Sequence, residues 1–294
     1  MKKALNVAQH HFSHAVSNPD AAAYLAERKV SKASIERWEI GYCPSSSDGI
    51  VQALRNHNLV DAAVSAGILR VSFGSPSCVF VNRIIFPIRN KIGQLVSFAG
   101  RDISGNAKAK YINGKETTLY SKSSILFGLS KAISSIRDWN RIILVEGYFD
   151  VIALHQAEVT EAVASCGTAL TKDHVKLFSK LTDKALCFFD SDDAGRRAAS
   201  KALPILAKSD IDSLMVNLPE GMDPADYATS NSLEDLLERI EDAEPLLATW
   251  LHSLSRTHDK TPHGRQAAAN EAVPVIRSYP LIARDVVLRQ VADI

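Results

Sequence analysis

The second half of the chain alternates short apolar segments with segments of helical periodicity, and this alternation restricts the possible folds more than any other feature. Continuous apolar strands separated by amphipathic helices indicate a parallel sheet covered by helices on both faces. The chain from 232 onward is typical of helices alone, which predicts a C-terminal helical bundle. We therefore predict an α/β fold. The strands are predicted at 142–145, 162–165, 185–189 and 213–218, and the helices between them at 149–156, 171–180 and 194–207.

Acidic residues follow three of these four strands. Glu146 comes directly after the first strand, Asp190 and Asp192 follow the third, and Asp223 follows the fourth. Because ligands of open parallel sheets bind beyond the carboxyl ends of the strands, we expect these acids to converge at one edge. Carboxylates held together repel one another unless a cation neutralises them, and oxygen ligands suit Mg²⁺ or Mn²⁺. A single acid such as Asp193 is more simply explained as a helix cap, but the repeated pattern favours a metal site.

The first half has a different organisation, which predicts an α+β subdomain. Helical periodicity extends over 4–38 and is interrupted near 18–20, where Asn18 or Asp20 can cap the next helix. We predict three domains. They are an N-terminal basic subdomain at 1–138, a metal-binding subdomain at 139–230 and a C-terminal helical subdomain at 231–294. The strands of the first half are predicted at 79–81, 83–89 and 95–101, with a hairpin turn at 90–93.

The formal net charge of +1 conceals an uneven distribution. Residues 82–122 contain eight basic and two acidic residues, whereas residues 183–242 contain 14 acidic and six basic residues. A cationic stretch suits a polyphosphate backbone, and concentrated carboxylates suit divalent cations. The charge distribution alone is equally compatible with two solvent-exposed faces of unrelated modules that bind neither a polyphosphate nor a metal ion.

The sequence predicts a reduced, cytoplasmic, soluble protein with no membrane partner. It has no apolar run long enough to span a bilayer and no secretory signal near its start. His10 and His14 lie one helical turn apart, but no acidic third ligand is near, so an exposed helical face is the preferred interpretation. Structural zinc is not expected, because the cysteines form no closely spaced pair. They are Cys43, Cys78, Cys166 and Cys187.

The acidic motifs resemble the Toprim domain of bacterial DnaG-type DNA primases. They are Glu146-Gly147-Tyr148-Phe149-Asp150, Asp190-x-Asp192 with Ala194-Gly195-Arg196, and Asp223-Pro224. Toprim domains also occur in topoisomerases, nucleases and recombination proteins, so the flanking motifs narrow the choice. They resemble the N-terminal half of the primase polymerase core, in the family's order, and the resemblance extends from about residue 15 to the end. These motifs are Tyr24-Leu25-x-x-Arg28, Ile40-Gly41-Tyr42-x-Pro44, Arg83 to Arg89, Gly100-Arg101, Lys110 to Asn113 and Leu126 to Leu129.

The resemblance implies roles for individual acids. Residues matching Glu146, Asp190 and Asp192 bind the catalytic metals of the family, so these three are the expected catalytic residues. Asp150 and Asp223 match further acidic positions of the same metal site.

Two departures from the family are evident. Ala225 stands where an acid is common, with Asp226 next to it as a candidate replacement, and Lys29 replaces a usual glycine.

The resemblance also implies a groove for the DNA template and the incoming nucleotide. A cationic groove with an interleaved tyrosine suits single-stranded DNA. The groove residues are Arg28, Arg101, Lys110, Tyr111, Asn113 and Lys122.

The function implied by the resemblance is synthesis of short RNA primers on single-stranded DNA from nucleoside triphosphates, with Mg²⁺ or Mn²⁺ and without zinc. The family's zinc-binding and helicase-binding domains are missing from this sequence, so it is either an excised core or a naturally short protein. A replicative helicase would be a partner only through the missing domain. Two alternatives remain, namely a Toprim metal-dependent nuclease and an inactive primase-like DNA-binding accessory protein.

Overall fold

The computed structural model describes residues 1–258 and 261–292, which form two compact units. The first unit extends over Met1–Ser130 and the second over Lys131–Ile294. The three-domain division predicted from the sequence stays a prediction.

The first unit combines helices with an antiparallel sheet. Strands β1, β4, β5 and β6 are hydrogen-bonded in that order, and β2 and β3 form a separate hairpin. The helices are α1 (Lys2–Ala15), α2 (Pro19–Glu27), α3 (Lys32–Trp38), α4 (Asp48–Asn56) and α5 (Val60–Ser65). The strands are β1 (Gly41–Cys43), β2 (Leu69–Ser72), β3 (Ser75–Cys78), β4 (Arg83–Arg89), β5 (Leu95–Asp102), β6 (Tyr111–Asn113) and β7 (Leu126–Phe127).

The core of this unit lies between the sheet and α1, α4 and α5. Phe12 of α1 meets Phe98 of β5 edge to face, with 5.4 Å between the ring centres. A glycine at position 41 allows this contact, because a Cβ there would lie 2.6 Å from the Cβ of Phe12. Packing of α1 onto the sheet therefore depends on the close approach of the backbone at Gly41 to Phe12.

The sequence prediction was wrong for residues 79–81, which form a turn rather than a strand. Phe80 is fully buried, so the apolar residues there reflect core packing and not strand pairing. Asn82 ends the turn with a φ of 54°, a left-handed conformation that interrupts a strand. The predictions of strand 83–89 and of the turn before Gln94 are confirmed.

The second unit is built on a largely parallel sheet, and the α/β prediction is confirmed. Its strands are hydrogen-bonded in the order β12, β11, β10, β8, β9, with only β12 antiparallel. The strands are β8 (Ile142–Val145), β9 (Ala162–Ser165), β10 (Lys184–Cys187), β11 (Asp212–Met215) and β12 (Glu244–Pro245). The helices are α6 (Leu129–Asp138), α7 (Tyr148–Gln156), α8 (Lys172–Phe178), α9 (Asp193–Leu206), α10 (Pro224–Ser230), α11 (Leu233–Glu241), α12 (Leu246–Thr257), α13 (Pro262–Ser278) and α14 (Leu281–Ala292).

Strand β8 lies in the middle of this sheet and is entirely buried, as its unbroken apolar sequence predicts. Helix α9 packs against α12 and α13. Among the helices of the described residues, none has the length and apolar character needed to cross a membrane.

Candidate active site

Two neighbouring parallel strands, β8 and β10, end at the same edge of the sheet in the second unit. Glu146 follows the last residue of β8 directly, and Asp190 lies three residues after β10. The ladder continues past β10, since the Phe188 N–H donates to the Leu144 carbonyl at 2.9 Å. This continuation brings Asp190 beside Glu146. We call Glu146, Asp150, Asp190, Asp192 and Asp223 the acidic edge.

Glu146 is partly buried among other acids. Burial raises its pKa first of all, and the carboxylates of Asp190 and Asp192 raise it further. The backbone N–H of Asp190 and the charge of Arg197 lower it, but they do not cancel the increase. Its buried Oε1 has no hydrogen-bond partner in the described part of the chain. An unsatisfied carboxylate oxygen in a negative environment is a natural ligand position for a cation.

Asp150 is the most deeply buried member of the acidic edge. Burial, followed by the charges of Asp223 and Asp190, raises its pKa to about 7. Its Oδ2 accepts a 2.7 Å hydrogen bond from the Gly147 N–H at the start of α7, which opposes the increase. Asp150 therefore closes the first turn of α7 while it contributes to the negative potential of the edge.

Asp192 and Asp223 both act as helix caps. Oδ1 of Asp192 accepts hydrogen bonds from the N–H groups of Ala194 and Gly195 at 2.7 and 3.0 Å. Oδ1 of Asp223 accepts from the Asp226 N–H at 2.6 Å, and the exposed Asp226 side chain lies in the first turn of α10. Each carboxylate keeps a second oxygen that these bonds do not use.

The loops that carry Asp190 and Asp223 are tied together. Ser191 donates to the Met222 carbonyl through its backbone N–H at 3.2 Å and through its hydroxyl at 3.0 Å. Helix α9 also approaches the first loop very closely, because a Cβ added at Gly195 would lie 1.9 Å from the Asp190 carbonyl oxygen. The position of Asp190 is thus fixed by backbone contacts.

The acidic edge suits a hard divalent cation chemically. Its donors are all carboxylate oxygens, and one of them is buried and without a partner among the described residues. Burial and, after it, like-charge repulsion raise the pKa of Glu146 and Asp150. Within residues 1–258 and 261–292, no three acidic, histidine or cysteine side chains are arranged closely enough to hold a metal ion. Two of the five acids point at helix N–H groups instead. The acids therefore interact electrostatically without forming a closed ligand set, and the metal site stays a prediction.

The raised pKa of Asp150 predicts that the free energy of unfolding depends on pH when a chelator keeps the protein free of metal. Folded protein keeps this proton up to about pH 7, whereas an unfolded aspartate loses it near pH 4. The native state binds more protons between these values, so this group lowers the free energy of unfolding as the pH rises, by at most about 1.4 kcal/mol per pH unit. Urea titrations of wild type and Asp150→Asn from pH 4 to 8 measure the difference.

The Asp150→Asn variant keeps an oxygen that can accept from Gly147 and should show a flatter pH profile than wild type. The exposed acid Asp61 provides the control, and Asp61→Asn should leave the profile unchanged. Parallel profiles for wild type and Asp150→Asn would contradict the prediction.

In the first unit, two tyrosines and two arginines form a stacked group. The guanidinium carbon of Arg101 lies 4.9 Å from the ring centre of Tyr111 and 5.9 Å from that of Tyr24. Arg28 lies 5.7 Å from the same Tyr24 ring. We call Tyr24, Arg28, Arg101 and Tyr111 the arginine–tyrosine cluster.

The strand register explains how this cluster forms. Arg101 of β5 is paired with Tyr111 of β6, so the two side chains share one face of the sheet. Arg101 is 91% buried, and its Nε has no acceptor among the described residues. A buried guanidinium N–H without an acceptor is positioned to bind an anion.

Tyr24 is a candidate residue that sequence reasoning did not assign to the groove. Its position four residues before Arg28 on α2 was the available signal, because residues i and i+4 are neighbours on a helix. Burial lowers the pKa of Arg28, but its interactions with Tyr24, Tyr111 and Glu27 together outweigh that effect, so the pKa is raised. Tyr24 therefore connects the two arginines.

The remaining predicted groove residues lie directly before β6, at its end and in the segment after it. Lys110 is exposed directly before β6, and its carbonyl accepts from the Asp102 N–H at 2.9 Å. Asn113 ends β6, and Lys122 lies between β6 and β7, where its backbone N–H donates to Glu116 at 2.8 Å. The preceding loop is anchored by Arg83, which donates to the Ala109 carbonyl at 3.2 Å.

Each of the two units contains a segment that matches a known protein family. A family described as the N-terminal domain of the DNA primase catalytic core matches residues 9–133, and a Toprim-like family matches residues 143–228. The fold and its acidic edge thus define the class as a Toprim-containing catalytic core.

Relatives and solved structures give the particular family. The chain is 34% identical over 291 residues to a DNA primase of Salmonella typhimurium, covering 96% of this chain and 49% of that protein. It is 36% identical over 276 residues to the DNA primase of Escherichia coli K12, covering 92% of this chain and 47% of that protein. The chain therefore spans about half the length of the curated relatives it matches.

Among solved structures, the RNA polymerase domain of Mycobacterium tuberculosis primase DnaG is 31% identical. The match has a TM-score of 0.87 and covers 100% of this chain and 98% of that chain. A DnaG primase catalytic domain bound to single-stranded DNA is also 31% identical, with a TM-score of 0.81, and the match covers 100% of this chain and 97% of that chain. The chain belongs to the DnaG primase catalytic-core family.

Proposed function

We propose that this chain is the catalytic core of a DNA primase, which synthesises short RNA primers on single-stranded DNA from nucleoside triphosphates. The observation that supports this proposal most strongly is a match over the full chain to a DnaG polymerase domain, with acids at the edge that a nucleotidyl transferase needs. The neighbour bound to single-stranded DNA supports the same partner here.

In the proposed mechanism, Glu146, Asp190 and Asp192 of the acidic edge would hold Mg²⁺ or Mn²⁺, and Asp150 and Asp223 would add negative potential. Such an ion, when bound, neutralises charge on triphosphate oxygens and on the attacking hydroxyl. The reaction joins the 3′ oxygen of one nucleotide to the α-phosphorus of the next and releases diphosphate. Glu146 contributes its unpartnered Oε1, and the Ser191–Met222 bonds hold the Asp190 loop in place.

The groove residues would bind the nucleic acid and the triphosphate. Arg101 offers a buried N–H to a phosphate, and Tyr24 and Tyr111 hold its guanidinium plane. Arg28, Lys110 and Lys122 supply further positive charge, and Asn113 supplies a neutral hydrogen-bonding group. Arg101 is the best-defined of these contacts because its guanidinium carbon lies close to two tyrosine ring centres, at 5.9 Å from Tyr24 and 4.9 Å from Tyr111.

A primer-synthesis assay tests the proposal. Purified protein is incubated with single-stranded DNA, labelled ribonucleotides and either Mg²⁺ or Mn²⁺, and the products are separated by length. Short RNA that depends on the template supports primase. Shortened DNA without new RNA would identify a nuclease instead, and DNA binding without either product would identify an accessory protein.

Substitution of Lys110 should weaken DNA binding in a salt-dependent way. Affinity falls as salt rises, and on a single strand each phosphate contact adds about 0.7 to the steepness of log affinity against log salt, so Lys110→Ala should reduce that steepness by about 0.7. Fluorescence anisotropy with labelled single-stranded DNA over a salt series measures it. Lys3→Ala, an exposed lysine of α1, is the matched control and should bind as wild type. An unchanged slope in Lys110→Ala would remove Lys110 from the groove.

A further inference from the structure

A cavity of about 640 Å³ lies beyond the carboxyl ends of β10 and β11 in the second unit. Its apolar part is formed by Phe189, Met215 and Leu218, and Asp190 of the acidic edge lies at its wall. Ligands of open α/β sheets bind at this end of the strands, and cavities of this size hold small organic ligands. The cavity is therefore placed and sized for a ligand that reaches the acidic edge.

One wall of the cavity is the polar face of α12. Thr249, His252, Ser253 and Arg256 follow the spacing of one helical face, and all four line the cavity. The opposite face, with Trp250 and other apolar residues, is buried. Helix α12 thus directs its hydrogen-bonding side chains toward a concave space.

Some charged side chains of this cavity have partners within the protein, and one does not among the described residues. Arg196 forms an ion pair with Asp193, and Glu244 accepts from Asn217 Nδ2 at 2.9 Å. In the described part of the chain, no carboxylate pairs with Arg256. Arg256 is consequently the cation of this cavity that is available to an anionic group.

We propose that this cavity binds one ribonucleotide, whose 3′ hydroxyl faces Asp190 and whose phosphates face Arg256. The apolar residues accommodate the base, and the α12 hydroxyls and His252 bind the sugar and phosphates. The orientation follows from charge, because phosphates beside the carboxylates would be repelled whereas Arg256 attracts them. The inference rests on the proposed function, and it assigns to the cavity the nucleotide whose 3′ oxygen is extended.

Equilibrium dialysis with ATP in EDTA tests the cavity directly, apart from any metal. We expect one ATP bound per wild-type chain, with inorganic triphosphate and adenosine each competing more weakly than ATP. Arg256→Ala should weaken ATP binding about tenfold, as expected for loss of a charged hydrogen bond. Ser253→Trp, which fills the cavity, should abolish binding, with thermal unfolding used to verify that it folds. Lys201→Ala on the exposed side of α9 is the control and should bind as wild type.

The same variants separate this inference from the proposed function. Arg256→Ala should raise the KM for the first nucleotide of a primer. ATP binding that requires Mg²⁺, is lost in Glu146→Gln and is retained in Arg256→Ala would overturn the cavity site and leave primase activity standing. Absence of ATP binding in EDTA would also overturn it. Binding in EDTA without any primer synthesis would keep the cavity and refute the primase proposal.

Discussion

Asp190→Asn should reduce primer synthesis about 1,000-fold, because loss of the metal ligand proposed here would remove several kcal/mol of transition-state stabilisation. Asp190 lies after a central strand, and its charge raises the pKa of both Glu146 and Asp150. Removing that charge relieves repulsion in the metal-free protein. We therefore expect the variant to lose activity while its unfolding midpoint in EDTA stays equal to that of wild type or increases.

The matched control for this prediction is Asp212→Asn. Asp212 is an exposed aspartate of the same sheet, but it lies at the start of β11, at the opposite end of the strands from the acidic edge. Its substitution should leave primer synthesis within about twofold of wild type, as is usual for surface changes away from a site. Equal losses in both variants, or a loss in Asp190→Asn that follows unfolding, would contradict the assignment of Asp190.

Gly195→Ala should both destabilise the second unit and abolish activity. An alanine within a helix is ordinarily more favourable than glycine by about 1 kcal/mol. Here the added Cβ would lie 1.9 Å from the Asp190 carbonyl oxygen and 2.7 Å from its carbonyl carbon, which are backbone atoms that cannot rotate away. Overpacking of this kind costs about 1 to 3 kcal/mol, so the close contact outweighs helix propensity.

The functional effect of Gly195→Ala follows from the same contact. Helix α9 can relieve it only by moving away from the Asp190 loop, which would displace Asp192 as well. Thermal unfolding and the primer assay measure the two effects, and Ser200→Ala on the same helix is the control. A Gly195→Ala protein as stable and as active as wild type would show that the Asp190 loop is not held by this approach.

The parallel sheet and the positions of its acids could be predicted from the sequence because both depend on local patterns. The strands 142–145 and 162–165 agree with β8 and β9. The strand predicted at 185–189 ends instead at Cys187 in β10. Phe188 still makes one ladder hydrogen bond, to the Leu144 carbonyl, and Phe188 and Phe189 are both buried in the core. Apolar runs therefore locate a strand better than they define its end.

The finer geometry of the site could not be predicted. An aspartate before a helix satisfies the pattern of an N-cap and that of a metal ligand equally well, and Asp192 and Asp223 are caps in this structure. The stacking of Arg101 on Tyr24 joins residues far apart in the chain, which only tertiary packing decides. Buried polar atoms without partners, such as Oε1 of Glu146, leave no trace in a sequence.

The acids of the edge share one more structural property, which is that each lies next to the beginning of a helix. Helix α7 begins at Tyr148, α9 at Asp193 and α10 at Pro224. The aligned peptide dipoles of a helix leave roughly half a positive charge at its N-terminus, and this effect stabilises nearby anions. Three helix N-termini at the acidic edge thus provide a fixed, partial counter-charge that does not diffuse away. This counter-charge helps the protein to keep these carboxylates close together when no cation is bound.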